Sequence, residues 1–122
     1  MLLALAVALV AALGAVSRYV LDQVIQHQHG GVFPWGTFAI NVTGALLLGL
    51  FTGLNSHHGL SSSALAILGV GFCGGFTTFS TWMWETIALT ETGALGKASL
   101  NLFGSIVAGL AAAGIGFWLA IL

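Results

Sequence analysis

Charge is what this sequence has least of. Two basic and three acidic side chains, Arg18, Lys97, Asp22, Glu85 and Glu91, make up 4% of its 122 residues, against about 25% in a soluble domain. A surface so poor in charge cannot be solvated by water, so its solvent must be lipid. No basic patch exists, which excludes nucleic acid as a partner. The single cysteine, Cys73, excludes an intrachain disulfide and reads as a small residue in helix packing. Also missing are the constellations of an enzyme. No serine or threonine within the apolar runs has a histidine partner, there is no Cys/His cluster, and no P-loop is present. His27, His29, His57 and His58 fall in the polar connections, where two ligands on a flexible loop make a poor metal site. The chain is therefore not read as an enzyme.

What remains is apolar: 58% of the residues are hydrophobic. A bilayer-spanning helix needs about 20 such residues. Four segments qualify, 2–22, 34–54, 63–86 and 98–121, in one transmembrane domain over 1–122. The first lacks a basic leader and its apolar run is too long for a signal peptide, so it is expected to be a retained helix. Four such helices form a thin bundle with little interior. A solute path through one copy is hard to build, so an oligomer is expected, helped by small residues on helix faces. Arg18 and Lys97 map to the same side and bias insertion only weakly. Oppositely oriented copies about an in-plane two-fold axis are thus an open arrangement.

The chain is organised around residues 69–85, which carry four glycines, five aromatics and several hydroxyls inside an apolar span. A glycine pair weakens a helix. In a bilayer that is tolerated where the freed backbone groups find partners or line a cavity. The third helix is therefore expected to break at Gly74-Gly75. Beyond the break, Thr77, Thr81 and Glu85 follow a spacing of four and form a polar stripe, with Phe76, Phe79 and Trp82 on a neighbouring face. Both packing and a pore wall suit these aromatics. On helix 2, Thr37, Asn41, Gly44, Ala45, Leu48 and Gly49 share one face of small and polar residues. Asn41 lies inside the apolar span and must find partners, either on another helix or by donating its amide to a passing anion. Arg18 either snorkels to the headgroups or faces a vestibule and concentrates anions there. Asp22, four residues on, is placed to pair with it. Asn101, Ser105 and Gly109 make a second polar, small face on helix 4.

These groups are mostly neutral donors. With the positive rims of aromatic rings, they can cradle an anion without trapping it. The carbonyls freed at a helix break suit a hard cation instead.

The residues Gly14-Ala-Val-Ser-Arg18-Tyr19, Trp35-Gly-Thr-Phe-Ala-Ile-Asn41-Val-Thr-Gly44 and Gly71-Phe-Cys-Gly-Gly-Phe-Thr-Thr-Phe-Ser-Thr81 with Glu85 resemble the bacterial Fluc/CrcB fluoride channels. The likeness covers nearly the whole chain. It implies an all-α integral membrane protein with four transmembrane helices per subunit, the third broken, assembled as an antiparallel dual-topology homodimer with two fluoride pores. It implies passive fluoride efflux from the cytoplasm of a bacterium across its inner membrane. Gly74 and Thr77 would lend carbonyls from both subunits to one structural sodium ion, Na+. Asn41 would be the pore asparagine, Phe79 the first aromatic of a two-ring box, and Ser105 part of a helix 4 polar track. Thr37, Thr81, Glu85 and Arg18 complete the expected ion pathway. Two positions depart from the family pattern: Trp82 stands where a phenylalanine is expected, and Asn101 where relatives often have tyrosine. The competing reading is a small multidrug-resistance-type proton-coupled transporter, which would want an intramembrane glutamate in helix 1; helix 1 has none, and Glu85 sits near an end of helix 3. A purely structural membrane subunit would need neither the buried amides nor the broken helix.

Overall fold

Two residues on the third span leave the helical path, and the rest of the bundle is arranged around them. The computed structural model describes residues 1–122. It is all-helical: α1 (Leu2–Gln28), α2 (Trp35–His57), α3 (residues 62–76), α4 (Phe79–Glu91) and α5 (Leu95–Ala120). Together α3 and α4 make one span, Ser62–Glu91, so four helical spans are long and apolar enough to cross a membrane.

Each helix runs past its apolar window. The first ends at Gln28 rather than at 22, the second at His57 rather than 54, the third at Glu91 rather than 86, and the fourth starts at Leu95 rather than 98. Polarity ends a transmembrane window but does not end a helix. Gln23, Gln26 and Gln28 are good helix formers, and no glycine intervenes until Gly30. With 27 residues at about 1.5 Å each, α1 is about 40 Å long, beyond the roughly 30 Å of hydrocarbon it crosses. The turns are made where the backbone allows them. Gly59 (φ +73°) follows α2, and Asn55 Nδ2 closes that turn by donating to the Leu60 carbonyl (2.6 Å). Ser61 then caps α3, accepting from the Ala64 N–H (3.1 Å). Gly93 (φ +79°) follows α4, with the Ala94 N–H returning to the Leu89 carbonyl (2.9 Å).

The helices pack as two close pairs. In the first, α1 lies on α3. A Cβ added at Gly75 would overlap the Ala11 carbonyl, and one added at Gly14 would overlap the Phe72 carbonyl. In the second, α2 lies on α5 along Gly49, Gly53 and Gly116. Such seams bring backbones together in lipid, where no water drives association. Two stretches, Ala66–Cys73 and Leu100–Gly104, widen to i→i+5 turns, a departure often found at functional positions. Only 21 of 122 residues are buried, so nearly all apolar side chains, Leu5, Leu9, Leu13 and Val16 on α1 among them, remain for lipid or a further chain to cover.

The break in the third span is real but displaced from the glycine pair. Gly74–Phe76 stay helical. Thr77 (ψ 162°) and Thr78 (φ −146°, ψ 123°) are extended, and α4 restarts at Phe79. Gly75 serves close packing against α1, while the backbone leaves the helix where a side chain from α2 replaces its lost hydrogen bonds.

Candidate functional site

A broken membrane helix must account for its unpaired backbone groups. Here Asn41, from the middle of α2, does most of that work. Its Nδ2 donates to the Thr78 carbonyl (3.0 Å) and its Oδ1 accepts from the Thr78 N–H (2.9 Å). The amide thus imitates a strand partner for one residue. Of the two readings open for Asn41, the interhelical bond is the one present, and it leaves the second Nδ2 hydrogen free. Thr78 also caps α4, its Oγ1 accepting from the Thr81 N–H (3.3 Å) and donating to Thr81 Oγ1 (3.1 Å). Because the Thr78 N–H is held by Asn41, the Gly74 carbonyl lacks its i+4 donor. Gly74 is exposed, and a Cβ there would meet nothing within 4 Å. The Thr77 carbonyl faces Arg18 Nη1 at 3.4 Å, a long contact that leaves a lone pair open. Arg18 therefore turns inward rather than to the headgroups. It does not bond Asp22, whose buried Oδ1 has no partner.

Three cavities converge on the Asn41–Thr78 pair. An open groove of about 350 Å³ runs along the break past Asn41, Gly44, Gly74, Thr77, Thr78, Phe79 and Trp82. A second, of about 210 Å³, lies between Asn41, Trp82, Ser105, Ile106 and Gly109. A third, also about 210 Å³, is lined by Arg18, Asp22, Thr37, Thr78 and Thr81. Asn41 borders the first two and Thr78 the first and third, so this hydrogen-bonded pair is the wall that the three cavities share. The first two are mostly apolar, with Asn41, Thr77, Thr78 and Ser105 as their polar side chains, while the third holds the hydroxyls of Thr37, Thr78 and Thr81 beside the Arg18 guanidinium and the Asp22 carboxylate.

The aromatic pair sits at the junction. Phe79 and Trp82 meet edge to face, with centroids 5.6 Å apart and planes at 73°. Phe79 is 71% exposed, a large ring with little of its own chain around it. Ser105 is 8% exposed and its hydroxyl has no partner within the chain. At the end of the third cavity, Thr37 Oγ1 donates to Glu85 Oε1 (2.8 Å), while Glu85 Oε2 is buried without a partner.

Two expectations are revised. Thr77, Thr81 and Glu85 do not form one stripe, because the chain leaves the helix at Thr77 and Thr78 and resumes in a new phase. Asn101 borders none of the cavities. It is 0% exposed and turned into the α4–α5 contact, where Nδ2 donates to Thr86 Oγ1 (2.9 Å). Sequence reasoning passed over Thr78, whose main chain and side chain both organise the break. Its signal was local: a threonine three residues before Thr81, directly before the last helical run, is an N-cap pattern.

Over residues 5–117 the chain matches the family described as CrcB-like protein, Camphor Resistance (CrcB). It is 53% identical over 110 residues to a protein of Streptomyces avermitilis named fluoride-specific ion channel FluC 1, covering 90% of this chain and 89% of that one. A protein of the same name from Leifsonia xyli is 48% identical over 118 residues, with 97% and 86% covered. The fluoride-specific ion channel FluC of Thermus thermophilus is 45% identical over 113 residues, with 93% and 90% covered.

Proposed function

The chain belongs to the CrcB family, a family of ion channels and not of enzymes, and from that premise we propose that it is a fluoride channel giving passive efflux across the inner membrane of a bacterium. Hydrogen fluoride crosses lipid as a neutral acid and ionises at cytoplasmic pH. The trapped anion then leaves down its own gradient. The observation that carries this reading is the gathering of three cavities around Asn41–Thr78, where a few neutral donors and two aromatic rings stand in an otherwise apolar lining within spans long and apolar enough to cross a membrane.

In this reading Arg18 draws fluoride into the third cavity, with Thr37 and Thr81 along its wall and Glu85 behind Thr37, accepting its hydroxyl. Asn41 offers its free amide hydrogen beside Phe79, and Ser105 offers its hydroxyl beyond Trp82. A dehydrated anion is costly in an apolar medium, so donors must follow one another closely. Donors that bind weakly and in series let the ion move on. One chain leaves its groove open on one side, and we propose that a second copy in the opposite orientation closes it.

The same break suits a structural sodium ion. Gly74 offers a carbonyl without a helical donor and without a side chain in the way, and Thr77 offers a second beside it. Hard oxygen donors of this kind suit a hard cation. Two oxygens are too few for one chain to hold the ion alone, so two copies would share it. Bound there, sodium would tie the copies together. The thermal midpoint of the purified protein is therefore expected to rise when N-methylglucamine is exchanged for sodium in the buffer. A site filled at about 100 times its dissociation constant adds about 2.7 kcal/mol. Equal midpoints in the two buffers would remove the sodium proposal.

The function itself is tested with liposomes containing this protein alone and loaded with potassium fluoride. Under a potassium diffusion potential they are expected to release fluoride within minutes, far faster than protein-free liposomes. Fluoride retained at the protein-free rate would end the channel reading.

A further inference from the structure

Trp82 and Asn101, the two departures from the family pattern, touch each other. Trp82 Nε1 donates to the Asn101 carbonyl (2.8 Å). In return, Asn101 Nδ2 donates to Thr86 Oγ1 (2.9 Å) and lies 3.5 Å from the Trp82 carbonyl. Thr86 Oγ1 itself donates to that Trp82 carbonyl (2.8 Å). The bonds run both ways between α4 and α5, side chain to main chain in each direction. Asn101 is 0% exposed and lies within the widened turn Leu100–Gly104. The Trp82 ring lines both the groove along the break and the cavity at Ser105. It is the wall between them, and Phe79 rests on it edge to face.

We infer that Trp82 is a positioning residue whose indole, tied to the main chain of α5 at Asn101, fixes the width of the passage between the two cavities and the stance of Phe79. A phenylalanine at 82 would have no donor for that carbonyl and would be held by packing alone. An asparagine at 101 keeps its side chain inside the α4–α5 contact and leaves the second cavity to Ser105. The indole N–H is fully engaged, so it is not a donor to the ion. Trp82 acts as a fixed wall, and Phe79, which meets it edge to face, takes its place from that wall. This inference rests on the fluoride-channel reading for its consequence, not for its geometry.

Two readouts test it. In the wild-type protein the Trp82 indole N–H, identified as the signal missing from Trp82→Phe, is expected to exchange with deuterium more slowly than those of Trp35, Trp84 and Trp118, none of which has a hydrogen-bond partner within the chain. Exchange as fast as theirs would overturn the clamp. In liposomes, assembled Trp82→Phe is expected to lower the ratio of fluoride to chloride flux about tenfold, the order of one hydrogen bond expressed as a ratio. An unchanged ratio would overturn the positioning role. Should Trp82→Phe fail to assemble, Thr86→Val loosens the clamp from the other side while keeping the indole. It is expected to lower the ratio about threefold, about half of a hydrogen bond on the same scale, and an unchanged ratio there overturns the role equally. If the wild-type protein conducts no fluoride, the channel reading fails while the exchange measurement still decides the clamp.

Discussion

Replacing Asn41 by leucine is expected to abolish fluoride flux and to leave a destabilised but membrane-inserted protein. Leucine keeps the branched outline of asparagine, somewhat enlarged, but offers neither donor nor acceptor. The Thr78 carbonyl and N–H would then lose the partners they now have at 3.0 and 2.9 Å. Thr78 is 9% exposed, so water reaches them poorly. Each stranded group costs about 1–3 kcal/mol. The backbone has one inexpensive alternative, which is to close the break and continue the helix through Thr77 and Thr78. That would turn the Gly74 carbonyl back to a helical donor and rotate Phe79, Trp82 and Thr81 relative to α3. The pathway would be lost along with the amide hydrogen. A barrier raised by about 2.7 kcal/mol already lowers flux about 100-fold. Asn41→Asp separates the two roles, since it keeps an acceptor for the Thr78 N–H but places a negative charge on an anion path. It should fold better than Asn41→Leu and conduct as little. Liposome flux and thermal unfolding in detergent together read both effects. Wild-type flux in Asn41→Leu would show that the amide is neither on the path nor needed to hold the break.

How much of this was legible in the chain depends on how local its cause is. The four spans were legible, because hydropathy over about 20 residues is set by composition alone. Their ends were not, because hydropathy falls before helical hydrogen bonding does, as Gln23–Gln28 illustrate. The existence of a break was legible from Gly74-Gly75. Its place was not, because the deciding group, Asn41, sits on another helix and no local propensity reports it. The displacement by a few residues has a large consequence. It moves Thr77 off the stripe with Thr81 and Glu85, and it makes Thr78 the residue around which the cavities gather. Asn41, Phe79, Trp82 and Ser105 were singled out by type and spacing, and the structure brings them together. Asn101 was singled out by the same logic and is turned away, because helical spacing says which face a residue shares and not which neighbour claims its amide. In this chain Thr86 does.

The glycines of α5 show the same limit and carry a second large prediction. Gly104, Gly109, Gly114 and Gly116 look alike in the sequence. In the fold, a Cβ at Gly114 would meet nothing within 4 Å, whereas one at Gly116 would overlap the Leu46 carbonyl oxygen and lie 2.9 Å from the Leu50 nitrogen and 3.0 Å from the Leu46 carbonyl carbon. All three atoms are backbone of α2, so no rotamer change relieves the overlap. The opposing wall repeats the constraint, since a Cβ at Gly49 would overlap the Ala113 carbonyl and lie 2.9 Å from its Cα. Gly116→Val should therefore force α2 and α5 apart along the whole seam. Overpacking commonly costs about 1–3 kcal/mol where side chains can shift, and here they cannot, so a cost of about 3 kcal/mol or more is expected. Such a cost is a large part of the roughly 5–15 kcal/mol that holds a typical domain together. Gly116→Val is expected to yield little monodisperse protein on size exclusion and no fluoride flux. Gly114→Val, two residues away on the exposed side of the same helix, should purify, unfold and conduct like the wild type. Gly116→Val behaving like the wild type would show that α2 and α5 are not held at backbone contact and that Asn41 reaches Thr78 on some other support.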